Sequence, residues 1–208
     1  TVTHVREYLE DREVTAWLVL DRSASMEFGP VQRRKQVVLT EVAAAVAQLL
    51  SRGGNRVGAV LFDSRVRETV PPGSGRRHVL HLLARLLAPA PDDAGDRAQT
   101  DLAAALRATA GIARRRSVVV VVTDFLSPPD WQRPLTLLAR RHDVVPVQVV
   151  DPREFELPAA GMLYVEDAET GEVIFVDTDD AGFRRRLREG ADARQAELVA
   201  DVASAGLR

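Results

Sequence analysis

The chain has 208 residues, of which 46% are hydrophobic and 28% are charged, a composition typical of a soluble α/β domain with a buried core. Its 28 cationic and 30 anionic side chains are spread along the whole length and leave a formal charge of −2, which argues against nucleic acid as a partner. There is no cysteine, which excludes disulfides and sulfur-ligated metal sites and makes the cytoplasm the simplest compartment. We expect residues 1–208 to form one domain, and the start at Thr1 suggests a piece of a longer protein.

Hydrophobic runs rich in β-branched residues predict the strands. Residues 14–20, 117–123 and 144–150 are almost free of charge, which is typical of strands buried on both faces. Residues 56–62 predict a fourth strand, and residues 65–70 alternate after a short turn, which predicts an antiparallel edge strand.

Helical patterns separate these strands, at residues 31–51, 76–87, 100–115 and 130–141. Such alternation requires crossovers and therefore predicts an α/β fold with a doubly wound, mostly parallel, Rossmann-like sheet. Residues 162–165 and 173–176 predict a C-terminal β-hairpin, and residues 180–205 predict a closing helix with a break at Gly190. The Pro- and Asp-rich segment 88–99 is expected to be an exposed, mobile loop.

Three oxygen-bearing side chains follow the first buried strand at alternating positions, namely Asp21, Ser23 and Ser25. Side chains at this spacing can point the same way as the chain leaves the sheet. A hard cation such as Mg²⁺ takes about six oxygen ligands and commonly keeps several waters, so a few side chains suffice to bind it.

Two further ligand candidates come about a hundred residues later. Asp124 directly follows the strand at residues 117–123, in a position that mirrors that of Asp21. Ligand crevices of open doubly wound sheets lie at the carboxyl ends of the strands where the winding reverses, so we expect Asp21 and Asp124 to be neighbours. Thr100, at the start of a predicted helix, adds a third hydroxyl.

The set formed by DxSxS after strand one, a Thr opening a later helix and an Asp after the central strand resembles the metal-ion-dependent adhesion site (MIDAS). This site is the signature of von Willebrand factor A (vWA) domains. Within that superfamily the chain resembles the bacterial DUF58 family, through the stretches VREYLEDRE, LDRSASMEFG, TDLAAALR, VVTDF and RHDVVPVQVVDPREFELP.

The resemblance implies a vWA-like sheet with Mg²⁺, or Mn²⁺ or Ca²⁺, on Asp21, Ser23, Ser25, Thr100 and Asp124. It implies a protein-protein interaction module rather than an enzyme, in which a partner's acidic side chain completes the coordination. DUF58 proteins often lie beside MoxR-type AAA+ ATPases, so such an ATPase is an expected partner in complex assembly or remodelling. We expect the family's upstream segment, with its frequent membrane anchor, to lie outside this sequence, which leaves anchoring of the intact protein open on the cytoplasmic side.

A magnesium-dependent hydrolase that uses Asp21 is the alternative hypothesis, because phosphatases of the haloacid dehalogenase type also carry an Asp after strand one. That class needs a second Asp two residues on, where this chain has Ser23. Its phosphate-binding lysine comes late in the sequence, whereas the only lysine here, Lys35, comes early. Neither GxGxxG nor GxxxxGK[ST] occurs, which disfavours nucleotide binding.

Overall fold

A computed structural model describes residues 13–30, 33–89, 99–155, 158–166 and 171–207. Its main sheet is formed by β1 (Thr15–Asp21), β2 (Arg56–Phe62), β3 (Val66–Gly73), β4 (Val118–Thr123) and β5 (Asp143–Gln148). The strands lie in the order β3-β2-β1-β4-β5, and only β3 runs antiparallel to its neighbour. This arrangement confirms the predicted mostly parallel sheet with one antiparallel edge strand.

Among the described residues, five α-helices accompany the strands, namely α1 (Lys35–Arg52), α2 (Gly75–Leu87), α3 (Leu102–Ile112), α4 (Gln132–Ala139) and α5 (Ala181–Ser204). Successive residues of a strand face opposite sides, and both sides of the central strands are buried. Leu18 and Leu20 of β1 pack with α1 and α2, whereas Trp17 and Val19 pack with α3 and α4. Helices therefore cover both faces, as the doubly wound prediction requires.

The winding reverses between β1 and β4. The chain passes from β1 through α1 to β2 on one side, and from β4 through α4 to β5 on the other. Because β1 and β4 are parallel neighbours, with Leu20 opposite Val122, their carboxyl ends lie at the same edge of the sheet. This edge is where a doubly wound fold forms its ligand crevice.

One strand is less buried than its composition predicts. We expected residues 144–150 to be buried on both faces, but β5 is the edge strand of the sheet and Val145 is 47% exposed. Val145 lies on the side of the sheet that carries α1 and α2. These two helices pack over β1 and β2 and leave the corresponding face of β5 open. A run of valines reflects the preference for extended backbone as well as burial.

The ends of the chain's helices also differ from the prediction. Residues 24–27 form a short 3-10 turn, and α1 begins at Lys35 rather than at residue 31. The predicted break at Gly190 is wrong, because α5 is continuous; a single glycine costs a helix only about 1 kcal/mol relative to alanine. Asp180 caps α5 by accepting a hydrogen bond from Gly182 N at 2.7 Å.

The C-terminal hairpin is confirmed by the antiparallel strands β6 (Met162–Glu166) and β7 (Val173–Asp177). Most of the predicted loop at 88–99 lies outside the described residues. In the part of the chain that the structure describes, no helix has the length and apolar character needed to cross a bilayer.

Candidate metal site

Asp21 ends β1, and its side chain is fully buried. One carboxylate oxygen accepts a hydrogen bond from Ser23 N at 2.8 Å, and the other accepts one from the Thr123 hydroxyl at 2.5 Å. Thr123 is the last residue of β4, so these bonds join the ends of the two central strands. The predicted proximity of the two strand ends is thus present in the structure.

The two serines extend this cluster across the crevice. The 3-10 turn at Ala24–Glu27 curls the chain back, so that Ser23 Oγ and Ser25 Oγ lie 3.0 Å apart. The Ser25 hydroxyl donates to Asp124 Oδ2 at 2.6 Å. Both serine residues are at least 95% buried, so their oxygens face the site instead of solvent.

Asp124 is fixed by the tight bend that follows β4. Its Oδ1 accepts a hydrogen bond from Leu126 N at 2.9 Å. Phe125 between them has a φ of 61°, a left-handed conformation that is uncommon for a non-glycine residue. The Phe125 ring packs on Trp131 with a centroid distance of 5.3 Å, and this contact supports the bend that directs the Asp124 carboxylate into the site.

Thr100 is placed differently from the prediction. It lies two residues before α3, and Asp101, not Thr100, caps that helix by accepting a hydrogen bond from Ala104 N at 2.7 Å. The Thr100 carbonyl accepts a hydrogen bond at 2.8 Å from Ser127, three residues beyond Asp124, and Thr100 is 2% exposed. The structure therefore holds buried Thr100 against the loop that carries Asp124, while hydrogen bonds link Asp21, Ser23, Ser25 and Asp124.

The electrostatics of the cluster disfavour the ionised form of Asp21. Burial, reinforced by the nearby Asp124 carboxylate, raises the pKa of Asp21 to about 7. Hydrogen bonds from Thr123 and Ser23 offset only part of this effect. A divalent cation beside Asp21 would oppose this effect, and the accompanying hydroxyls would suit a hard ion such as Mg²⁺.

The residues present thus fit a hard cation, although the fit depends on more than carboxylates. Within the described ranges, no three His, Cys, Asp or Glu side chains cluster so as to hold a metal ion by themselves. A cation at this edge of the sheet would rely on two carboxylates, on hydroxyls and on water. Mg²⁺ tolerates such a site because it commonly keeps several of its waters.

Two charged members of the cluster, Lys35 and Glu154, were not predicted from the sequence. Lys35 is 2% exposed, and its ammonium donates to Asp124 Oδ2 at 2.7 Å and also to Glu154 Oε1. Burial by itself lowers the pKa of Lys35, but the carboxylates of Asp124 and Glu154 outweigh burial and raise that pKa above its ordinary value. Lys35 is early in the sequence, yet the fold brings it to the site.

Glu154 belongs to a short 3-10 turn, Pro152–Glu154, that follows β5. Asp151 begins this turn by accepting a hydrogen bond from Arg153 N at 2.8 Å, and Glu154 Oε2 accepts one from Asp151 N at 3.4 Å. A signal for this turn exists in the sequence, because Asp-x-x-Glu is a capping-box pattern. Nothing in that pattern reveals that the Glu side chain also reaches Lys35.

Comparison with known proteins assigns the chain to a family. The family described as "Protein of unknown function DUF58" matches residues 1–197, and the chain belongs to it. An uncharacterized protein of Mycobacterium tuberculosis is 39% identical over 207 residues, which are 99% of this chain and 64% of that protein. An uncharacterized protein of Mycobacterium avium is 41% identical over 137 residues, which are 66% of this chain and 79% of that protein.

The chain therefore spans about 64% of the length of the M. tuberculosis relative.

Two solved structures share the fold of this chain. An aerotolerance-related membrane protein of Bacteroides fragilis superposes with a TM-score of 0.58 at 18% identity, over 85% of this chain and 87% of the other. A conserved hypothetical protein of Bacteroides thetaiotaomicron, BatB, superposes with a TM-score of 0.58 at 18% identity, over 93% of this chain and 98% of the other. At this identity the likeness concerns the fold alone.

Proposed function

We propose that this chain is a vWA-type interaction module that holds a divalent cation on Asp21, Ser23, Ser25, Thr100 and Asp124. The observation that carries the proposal is the 2.6 Å hydrogen bond from Ser25 Oγ to Asp124 Oδ2. It joins residues 99 positions apart and closes the DxSxS loop onto the carboxylate that follows β4. Separate turn-forming or capping roles for these residues would not require them to meet.

The proposed ligand is a carboxylate of a partner protein. A divalent cation held by few protein charges keeps an electrophilic coordination position, which an Asp or Glu side chain of a partner can fill. The chain's own residues then have three tasks: they hold the cation at the edge of the sheet, exclude bulk water and set the direction of approach. None of these tasks is a covalent step, so we infer a binding protein rather than an enzyme.

We propose a partner class on the basis of the family. DUF58 membership supports an expected link with a MoxR-type AAA+ ATPase, in the assembly or remodelling of protein complexes. The proposed location is the cytoplasm, where such an ATPase would act. One structural neighbour is described as a membrane protein, which is compatible with anchoring of the intact protein at the cytoplasmic side of a membrane.

A magnesium-dependent hydrolase using Asp21 is the second candidate, and one observation favours it. The early position of Lys35 argued against a phosphatase, but the fold places Lys35 Nζ 2.7 Å from Asp124. A lysine is therefore available beside the carboxylates. Ser23 still occupies the position where such phosphatases need a second Asp, so we prefer the binding module.

The test is a pull-down from the native host in Mg²⁺ or in a chelator, with wild type, Asp21→Ala and the control Asp192→Ala, which removes an exposed carboxylate from α5. The proposal expects wild type and the control to retain the same protein only in Mg²⁺, and Asp21→Ala to lose it. Equal recovery by all three proteins would contradict the proposal. Mg²⁺-dependent turnover of a generic phosphate ester that is lost in Asp21→Ala would favour the hydrolase instead.

A further inference from the structure

Lys35 occupies a position that does not favour a cation. It is the first residue of α1, where the helix dipole presents partial positive charge, and a lysine there is unfavourable for the helix itself. Its side chain is nevertheless 98% buried and ends between two carboxylates. The local helix does not account for this lysine, whereas binding carboxylates at the site does.

The two carboxylates held by Lys35 differ in how firmly they are fixed. Asp124 is buried and tied by Ser25, Leu126 and Lys35. Glu154 has a 20% exposed side chain. Within the residues that the structure describes, its carboxylate accepts, besides the contact with Lys35, a long hydrogen bond of 3.4 Å from the Asp151 N–H. Glu154 also borders an open cavity of about 340 Å³ that reaches Asp124. Glu154 is therefore the carboxylate that can be exchanged.

Counting charges shows what this exchange would do. The carboxylates of Asp21, Asp124 and Glu154 together with the Lys35 ammonium carry two net negative charges when all are ionised. A divalent cation makes the cluster neutral. If Glu154 then leaves, the cluster has one net positive charge and attracts another carboxylate.

We propose that Lys35 is a carboxylate-binding residue of this site and that Glu154 is the internal carboxylate that occupies it until an acidic side chain replaces it. This inference rests on the proposed function for the identity of the acidic ligand, but the contact of Lys35 with a carboxylate does not need the cation. Glu154 thereby sets a threshold for binding, since an incoming Asp or Glu must displace a side chain already held in place.

Acetate is a suitable probe, because it restores the carboxylate that Glu154→Ala removes. In metal-free protein, about 100 mM sodium acetate should raise the melting temperature of Glu154→Ala by about 3 °C relative to sodium chloride of equal ionic strength. Wild type should show no such increase, because Glu154 fills the position. The control Glu27→Ala removes a 67% exposed carboxylate near the site and should behave like wild type.

A second arm adds Mg²⁺. The charge count predicts that acetate binds Glu154→Ala about tenfold more tightly when Mg²⁺ is present, and that this gain disappears in the double variant Glu154→Ala/Asp21→Ala. If Glu154→Ala folds poorly, Glu154→Gln replaces it in the metal-free acetate measurement, because a neutral amide is held by the Lys35 ammonium less strongly than a carboxylate and acetate can displace it. A rise in melting temperature no larger than that of wild type would overturn the inference.

The two proposals fail in different ways. If metal-free Glu154→Ala responds to acetate no more than wild type and Glu27→Ala do, the role of Lys35 and Glu154 is overturned, while Mg²⁺ binding by wild type would still support the proposed function. If Mg²⁺ binds none of these proteins, the proposed function fails, and an acetate response confined to Glu154→Ala would still support carboxylate binding by Lys35.

Discussion

Lys35 Nζ lies 2.7 Å from Asp124 Oδ2, and both side chains are 2% exposed. The contact joins the start of α1 to the loop after β4, so it crosses the edge of the sheet where Asp21 and the two serines also meet. An ion pair this deeply buried differs from the exposed pairs of the same chain, such as Arg85 with Glu68. It stabilises the protein only while both partners are present.

Lys35→Met should destabilise the metal-free protein by about 3–5 kcal/mol, because it leaves the Asp124 charge buried without its ammonium partner. Urea unfolding at neutral pH measures this loss. Arg85→Met is the matched control, since it removes an exposed partner and should cost at most about 1 kcal/mol. The double variant Lys35→Met/Asp124→Asn should recover part of the loss. Equal costs for Lys35→Met and Arg85→Met would contradict the buried contact.

The pKa of Asp21 predicts a specific pH dependence. This pKa is raised from 3.8 to about 7 in the folded, metal-free protein, so the folded state binds the proton more tightly than the unfolded state. The resulting stabilisation is fully present below about pH 4 and is lost as the pH rises through about 7. Asp21→Asn mimics the protonated side chain and does not titrate.

The free energy of unfolding of wild type relative to Asp21→Asn should therefore fall between about pH 4 and pH 7, by at most about 1.4 kcal/mol per pH unit. Denaturant unfolding at a series of pH values, in a chelator, gives this difference. Mg²⁺ added at about pH 8 should stabilise wild type but not Asp21→Asn. A difference that stays constant with pH would show that Asp21 does not titrate in this range.

Gly29 couples the loop after β1 to the turn that contains Glu154. Its φ is +114°, and a Cβ there would lie 3.0 Å from Asp151 Oδ2 and 3.2 Å from the Arg33 carbonyl oxygen. Gly29→Ala should cost about 2–3 kcal/mol, from the strained φ and from the displaced neighbours. Gly54 also has a positive φ but open space around it, so Gly54→Ala should cost about 1 kcal/mol. Thermal unfolding of both variants measures the two losses. A smaller loss at Gly29 than at Gly54 would contradict this packing.

The proposed role of Thr100 as a ligand depends on its hydroxyl. Thr100→Val keeps the shape of the side chain but removes that oxygen, and it should weaken Mg²⁺ binding about tenfold. Thr109→Val is the control, because the Thr109 hydroxyl is equally buried but donates at 2.8 Å to the Ala105 carbonyl within α3. Isothermal titration with Mg²⁺ compares the two. Unchanged affinity in Thr100→Val would remove Thr100 from the proposed ligand set.

The sheet and the approach of Asp21 to Asp124 could be predicted from the sequence because both depend on general properties of parallel strands. Parallel strands that neighbour each other end at the same edge, and buried parallel strands are recognisable as uncharged β-branched runs. The burial of β5 was predicted wrongly, because a run of valines does not show whether helices cover both faces of the strand. The break at Gly190 was predicted wrongly, because the favourable context of a long helix outweighs one glycine.

Lys35 and Glu154 escaped prediction for a different reason. Each lies in a segment whose local role is ordinary, the first turn of a helix and a capping box. Their meeting depends on how the loop after β1 and the turn after β5 pack together, which no periodicity encodes. The one available signal was chemical: a lone lysine among many arginines, at a helix start where a cation is unfavourable, needs a carboxylate partner.

The claim that the site holds a divalent cation is tested most directly by isothermal titration of Mg²⁺ into wild type, Asp21→Ala and the exposed-carboxylate control Asp192→Ala, at about pH 8, where Asp21 is ionised. We predict one Mg²⁺ per chain for wild type and for Asp192→Ala, and no measurable binding by Asp21→Ala. Absence of binding by wild type, or binding that Asp21→Ala retains unchanged, would contradict the metal site on which the proposed function rests.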